Sequence, residues 1–175
     1  QIPPNADEVS FNSLSGPLAV SRKGEQLTLD FPLADYQAVI PPPQLIDAIG
    51  TTPLECYAGE DWMVHLDSEE AVRQLQPDFH LLLQLDRRGV IVTAEGNDCD
   101  FVSRFFAPRY GIDEDPVTGS AHTLLTPFWA ERLNKQQLLA RQVSLRGGEL
   151  HCELKGGRVL ISGRVTPYLQ GVITL

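Results

Sequence analysis

GSAHTLLTPFWAERL, residues 119–133, is the stretch on which the fold turns. Its apolar positions Ala121, Leu124, Leu125, Phe128, Trp129 and Leu133 recur at three- and four-residue intervals, the spacing that aligns one face of an α-helix. Pro127 lies inside it, has no amide hydrogen, and is expected to kink or split the helix. On both sides the pattern changes to short β-like runs. Upstream, GVIVTA (89–94) and DFVSRFFA (100–107) read as buried strands. Downstream, residues 142–146, 150–154, 158–161 and 168–175 read as strands, with Gly147-Gly148 and Gly156-Gly157 as hairpin turns. Strands, one strong helix and further strands predict an α+β fold, its curved mixed or antiparallel sheet wrapped around a central helix.

Further upstream, residues 9–14, 17–21 and 26–31 are strand-like and are punctuated by Ser15-Gly16 and Lys23-Gly24. Three strands hide little surface alone, so this piece is expected to complete a sheet begun elsewhere. Pro32 and Pro41-Pro42-Pro43 mark a connector, which divides the chain into residues 1–40 and residues 41–175. In the second part, residues 44–49 form a short helix stopped by Gly50, and residues 54–57 and 62–66 form a strand pair across Gly59. Ser68 with Glu69 and Glu70 opens a helix ended by Pro77. Residues 78–85 are too short an apolar run for periodicity to decide, with helix preferred.

Composition narrows the function. With 42% hydrophobic and 21% charged residues the chain is a folded domain rather than a disordered one. A net charge of −9 repels phosphate backbones, so no nucleic-acid partner is expected. No apolar run approaches a membrane span. Cys56, Cys99 and Cys152 are odd in number and widely spaced, which fits a reducing cytoplasm and neither a disulfide framework nor a zinc cluster. Gln1-Ile2-Pro3-Pro4 offers neither an initiator methionine nor a signal peptide, and the chain reads as one entered mid-protein. A homodimer is the base-rate expectation for a soluble oligomer.

The chemistry concentrates in DEDPVTGSAH, residues 113–122. A helix N-terminus presents backbone N–H groups and a positive partial charge, which together attract an anion. Gly119 permits close approach to that backbone, and Ser120 adds a hydroxyl at the rim. A carboxylate beside it can donate or accept a proton. The segment also admits a plainer account, in which the acids complement the helix dipole and Thr118 caps the helix. His122 is read as a packed or solvent-facing helix residue. Arg104 is either a bidentate clamp for a substrate carboxylate or a surface partner for one of the chain's many acids.

SRFFAP (103–108), GIDEDPVTGSAH (111–122) and PFW (127–129), followed by SLRGGEL (144–150) and RVLISGR (158–164), together resemble the phenazine biosynthesis PhzF-like family. VSFNSLSGPLAV and LDFP near the start resemble the middle of such proteins, so the likeness covers almost the whole chain, as a C-terminal portion. The resemblance implies a diaminopimelate epimerase-like lobe. Residues 1–40 would be the remaining strands of an otherwise missing N-terminal lobe, and residues 41–175 the C-terminal lobe, whose last strand is a candidate to cross back to the first. It further implies a metal-free, cofactor-free isomerase that abstracts and returns a proton on a small carboxylate-bearing metabolite within a biosynthetic process. Asp115 matches the family's active-site aspartate, with Gly119 and Ser120 contacting substrate. The family's principal glutamate and its companion histidine belong to the N-terminal lobe, and none of His65, His80, His122 or His151 has matching surroundings, so the chain alone is expected to be inactive. Ser120 stands where related racemases carry a cysteine, which disfavours cysteine-based racemisation. The alternative is a non-enzymatic binding protein for a small ligand in the same interlobe cleft.

Overall fold

The computed structural model describes residues 7–13, 16–166 and 171–172. Strands β1 (Glu8–Ser13), β2 (Gly16–Lys23) and β3 (Gln26–Pro32) form an antiparallel meander. Gly24, at φ +63°, supplies the left-handed backbone of the β2–β3 reversal; Ser15 of the preceding reversal lies outside the described residues. After the short β4 (Gln37–Ala38), helix α1 (Pro43–Ile49) ends where Gly50, at φ 70°, donates its N–H to the Ile46 carbonyl. Strands β5 (Glu55–Ala58) and β6 (Trp62–His65) pair antiparallel.

Helix α2 (Glu69–Gln74) begins as expected, the Ser68 hydroxyl accepting from the Ala71 N–H, but it stops short of Pro77. The carbonyls left free at its end are taken by the Arg104 guanidinium, that of Val72 at 3.2 Å and that of Leu75 at 2.7 Å. Asp78 caps α3 (Phe79–Leu82), which settles that run as helix. Strands β7 (Val90–Glu95) and β8 (Phe101–Phe106) lead through a 3₁₀ turn (Pro108–Tyr110) to α4 (Gly119–Leu133).

The next strand corrects the sequence reading. β9 is Gln137–Gln142, not residues 142–146, and it buries Leu138, Ala140 and Gln142 by strict alternation. Only residues 134–136 separate it from α4, whose end is marked by Asn134 at φ 50°. β10 (Gly148–Lys155) and β11 (Arg158–Arg164) complete a hairpin on Gly156 and Gly157, both left-handed. Of the strand expected at 168–175, all but residues 171–172 lie outside the described residues.

Among the described residues the strands form one 11-stranded mixed sheet in the order β1-β2-β3-β11-β10-β9-β8-β7-β6-β5-β4. Two neighbouring pairs, β6–β7 and β8–β9, are parallel, and parallel neighbours require a crossover. Helices α2 and α3 make the first crossover and α4 makes the second. The central strands are therefore covered on both faces. Val90, Val92, Val102 and Phe106 pack with Leu45, Val72 and Leu82, whereas Ile91, Phe101 and Phe105 pack with Leu125, Phe128 and Trp129. That is why β7 and β8 read as continuous apolar runs.

Helix α4 is buried on nearly every side, including His122, Thr123 and Thr126, rather than on the one apolar face read from sequence. The sheet wraps it, with β9, β10 and β11 against it. Its buried hydroxyls are satisfied locally: Thr123 donates to the Ser120 carbonyl at 2.7 Å and Thr126 to the His122 carbonyl at 2.6 Å. Pro127 does not split the helix. The Thr123 carbonyl, four residues earlier and deprived of its helical donor, accepts the Ala34 N–H at 3.4 Å.

Candidate functional site

The site is the start of α4 and the loop that enters it. Glu114 is drawn back towards β8 by Arg104, which donates to both carboxylate oxygens at 2.7 and 3.1 Å. Arg104 is thus committed to Glu114 and to the end of α2; it is the partner of one of the chain's own acids, but buried beneath α2 rather than at the surface as the sequence suggested. One residue on, the Asp115 N–H donates to the Phe105 carbonyl at 3.0 Å, and its carboxylate accepts from the Thr118 hydroxyl at 2.5 Å. Thr118 occupies the N-cap position, yet its side chain makes no cap hydrogen bond, so the plain capping account does not describe it.

Ser120 is fixed from the other side. Arg88 donates to its hydroxyl oxygen at 3.1 Å while gripping Asp61 with Nε at 2.9 Å and a second, very short contact through its terminal nitrogen. Asp61 is buried, and its hydrogen bonds hold the Arg88 guanidinium above its ordinary pKa. This arrangement, missed in the sequence, left no local signal because the partners are far apart along the chain.

Gly119 lies between these two anchors. A Cβ built there would meet nothing nearer than Leu29 Cδ1 at 3.8 Å, and its φ is not left-handed. Neither packing nor backbone geometry demands glycine. What adjoins it is an open cleft of about 680 Å³, lined also by Val117, Leu29, Gly148, Arg146 and Arg164. Of the three sequence-selected residues, Gly119 lines this cleft; Asp115 and Ser120 flank the helix start without lining it.

The β9–β10 connection clasps the loop from outside. Ser144 donates to the Pro116 carbonyl at 2.8 Å, and a Cβ on Gly148 would lie 2.4 Å from Val117 Cγ2, so any side chain there would have to displace Val117. The SLRGGEL run is thereby tied physically to DPVTG.

His122 is fully buried, and its Nδ1 lies 2.7 Å from the Thr118 carbonyl. Burial lowers its pKa from the ordinary 6.5 to about 4, against a smaller opposing effect of that carbonyl. Between these values the unfolded chain binds a proton that the folded one does not. Stability is therefore complete above pH 6.5 and is lost as pH falls to about 4, by on the order of 3 kcal/mol. Urea unfolding across that window should show the loss in the wild type, and His122→Asn, which cannot titrate there, should lack this component. Parallel pH curves for the two proteins would refute the assignment.

The thiols are not poised for nucleophilic chemistry. Burial pushes Cys56 up to about 11 and Cys152 up to about 12, and it also raises Cys99. Among the described residues, no three His, Cys, Asp or Glu side chains converge to hold a metal ion, and no helix is long and apolar enough to cross a membrane.

The family model for phenazine biosynthesis-like proteins matches residues 3–171. The chain belongs to the phenazine biosynthesis-like protein family. It is 51% identical over 170 residues to an uncharacterized isomerase of Pseudomonas aeruginosa, a match covering 97% of this chain and 65% of that relative's length. Two solved structures of the family are similar. The Enterococcus faecalis protein has a TM-score of 0.86 at 48% identity, covering 91% of this chain and 62% of that one. The Clostridium difficile protein, a putative PhzC/PhzF by its own description, has a TM-score of 0.88 at 39% identity, covering 99% and 68%. The fold of this phenazine biosynthesis-like chain is the α+β, diaminopimelate epimerase-like one, a curved mixed sheet around the central α4.

Proposed function

We propose that this chain supplies the α4 side of the active site of a cofactor-independent isomerase, which moves a proton on a small carboxylate-bearing metabolite. Asp115 assists or orients the transfer, while the Gly119 backbone and the Ser120 hydroxyl bind the substrate carboxylate at the helix end. The principal acid/base, a glutamate by family resemblance, comes from outside these 175 residues.

The observation that carries this reading is Gly119, a glycine that neither packing nor φ requires, at a helix N-terminus facing an open cleft. Arg146 and Arg164 line that cleft against one acid, Glu149, which leaves its charged lining positive on balance and supports an anion there. The names of the curated relatives, isomerases among them, point the same way.

The test is solvent-deuterium incorporation into a panel of small cyclic and amino carboxylates by full-length protein, with Asp115→Asn and Gly119→Ala alongside. Exchange should be lost in the first, and the second should fold normally with a raised KM. The 175-residue chain alone should not exchange. No exchange by the full-length protein, with ligand-dependent thermal stabilisation, would instead identify a binding protein.

A further inference from the structure

Gln142, at the end of β9, is 1% exposed and spans the loop before α4. Its Oε1 accepts the Thr118 N–H at 2.7 Å; its Nε2 donates to the Asp115 carbonyl at 2.6 Å and to Thr118 Oγ1 at 3.1 Å. The amide orientation is dictated by chemistry, because only the carbonyl end can face an N–H donor. Its two amide hydrogens are then both used, one on each acceptor. Thr118 Oγ1 receives one of them, so the hydroxyl's own hydrogen must go elsewhere, and Asp115 Oδ2 lies 2.5 Å away. The direction of each hydrogen bond follows from the one before it.

We infer that Gln142 is a positioning residue that, acting through Thr118, aims a hydroxyl donor at the Asp115 carboxylate and so selects which of its faces and oxygens is free for the reaction. The assignment rests on the catalytic reading of Asp115 proposed above. Backbone and side chain of Asp115 are held by the same amide relay, from a strand that follows α4, and the helix start cannot shift relative to β9 without breaking it. Gln142 thus does for orientation what a capping side chain does for ordinary helices, a role that Thr118 gives up in order to reach Asp115.

The experiment measures kcat and KM for solvent-deuterium exchange in the full-length protein. Thr118→Val removes the hydroxyl at constant shape and should lower kcat by about 10²-fold with KM little changed, the cost of a misplaced catalytic group. Thr118→Ser should restore the rate. Gln142→Glu keeps an acceptor for the Thr118 N–H but turns the donor into an acceptor, which takes the Thr118 hydroxyl away from Asp115; kcat should fall similarly. Combining Gln142→Glu with Thr118→Val should add little, as expected of two parts of one relay. Thermal unfolding of each variant separates these effects from loss of fold, and the Val and Ser pair decides the matter if Gln142→Glu does not fold. Wild-type exchange that survives in Thr118→Val, a change in KM alone, or fully additive losses would each overturn the positioning role while leaving Asp115 catalytic. No exchange by the wild type would overturn the catalytic reading, and this role with it.

Discussion

Asp115→Asn in the full-length protein is expected to slow solvent-deuterium exchange by about 10²- to 10⁴-fold, the usual contribution of a positioned acid or base, while its unfolding midpoint barely moves. The two effects separate because the substitution is nearly isosteric. An asparagine oxygen can still accept the Thr118 hydroxyl, and the backbone bonds to Phe105 and Gln142 do not involve the side chain. What disappears is the group's ability to carry a proton or a charge. Stability should change by less than about 1 kcal/mol. Equal losses of fold and rate would mean that the carboxylate serves chiefly to hold the loop.

The largest effect on stability should come from Asp61→Ala. Asp61 is 4% exposed and accepts two hydrogen bonds from Arg88, whose guanidinium also lies over the Phe105 ring. Removing the acid leaves a largely desolvated cation against an aromatic face, with the exposed Glu60 at 3.6 Å as its remaining acid. A broken buried pair typically costs about 3–5 kcal/mol, and Glu60 with partial solvent access puts this one near about 3 kcal/mol. Urea unfolding should show that loss, and Asp61→Ala with Arg88→Met should recover part of it because the stranded charge is gone. A loss below about 1 kcal/mol would show a pair that water already screens. The single variant should also weaken substrate binding, since Arg88 orients Ser120.

These two anchors differ in how visible they were beforehand. Asp115 stood in a motif whose residues are adjacent along the chain, so its helix-end setting could be read directly from the order Asp, Pro, Val, Thr, Gly, Ser. Asp61, Arg88 and Gln142 could not be, because each is a common polar residue whose partner lies 24–32 residues away. Which of the chain's acids Arg104 would meet was open because several acids follow it closely, Asp113, Glu114 and Asp115 among them. Secondary structure followed a similar divide. Gly24, Gly50, Gly156 and Gly157 mark turns by a local backbone requirement, and the elements they bound emerged where expected. Pro127 removes its hydrogen bond as expected without splitting the helix, because the freed carbonyl is taken by Ala34 from a distant part of the chain, and β9 was misplaced because only residues 134–136 separate it from α4. The burial of α4 on nearly every side was likewise hidden, since Thr123, Thr126 and His122 look like a polar face until their hydrogen bonds are known.

The pairing of β3 with β11 carries a kinetic consequence. Leu29 bonds beside Ile161, and Asp30 beside Leu160, so the two strands meet only after all the intervening chain exists. During synthesis the β11 side of β3 stays an open edge until residues 158–164 have been made. Closing so long a loop delays the contact but adds little to its equilibrium cost, because the entropy of closure grows only with the logarithm of length. Residues 158–164 therefore act as a late clasp, and before they engage, the free edge of β3 is open to pairing with a strand of another chain.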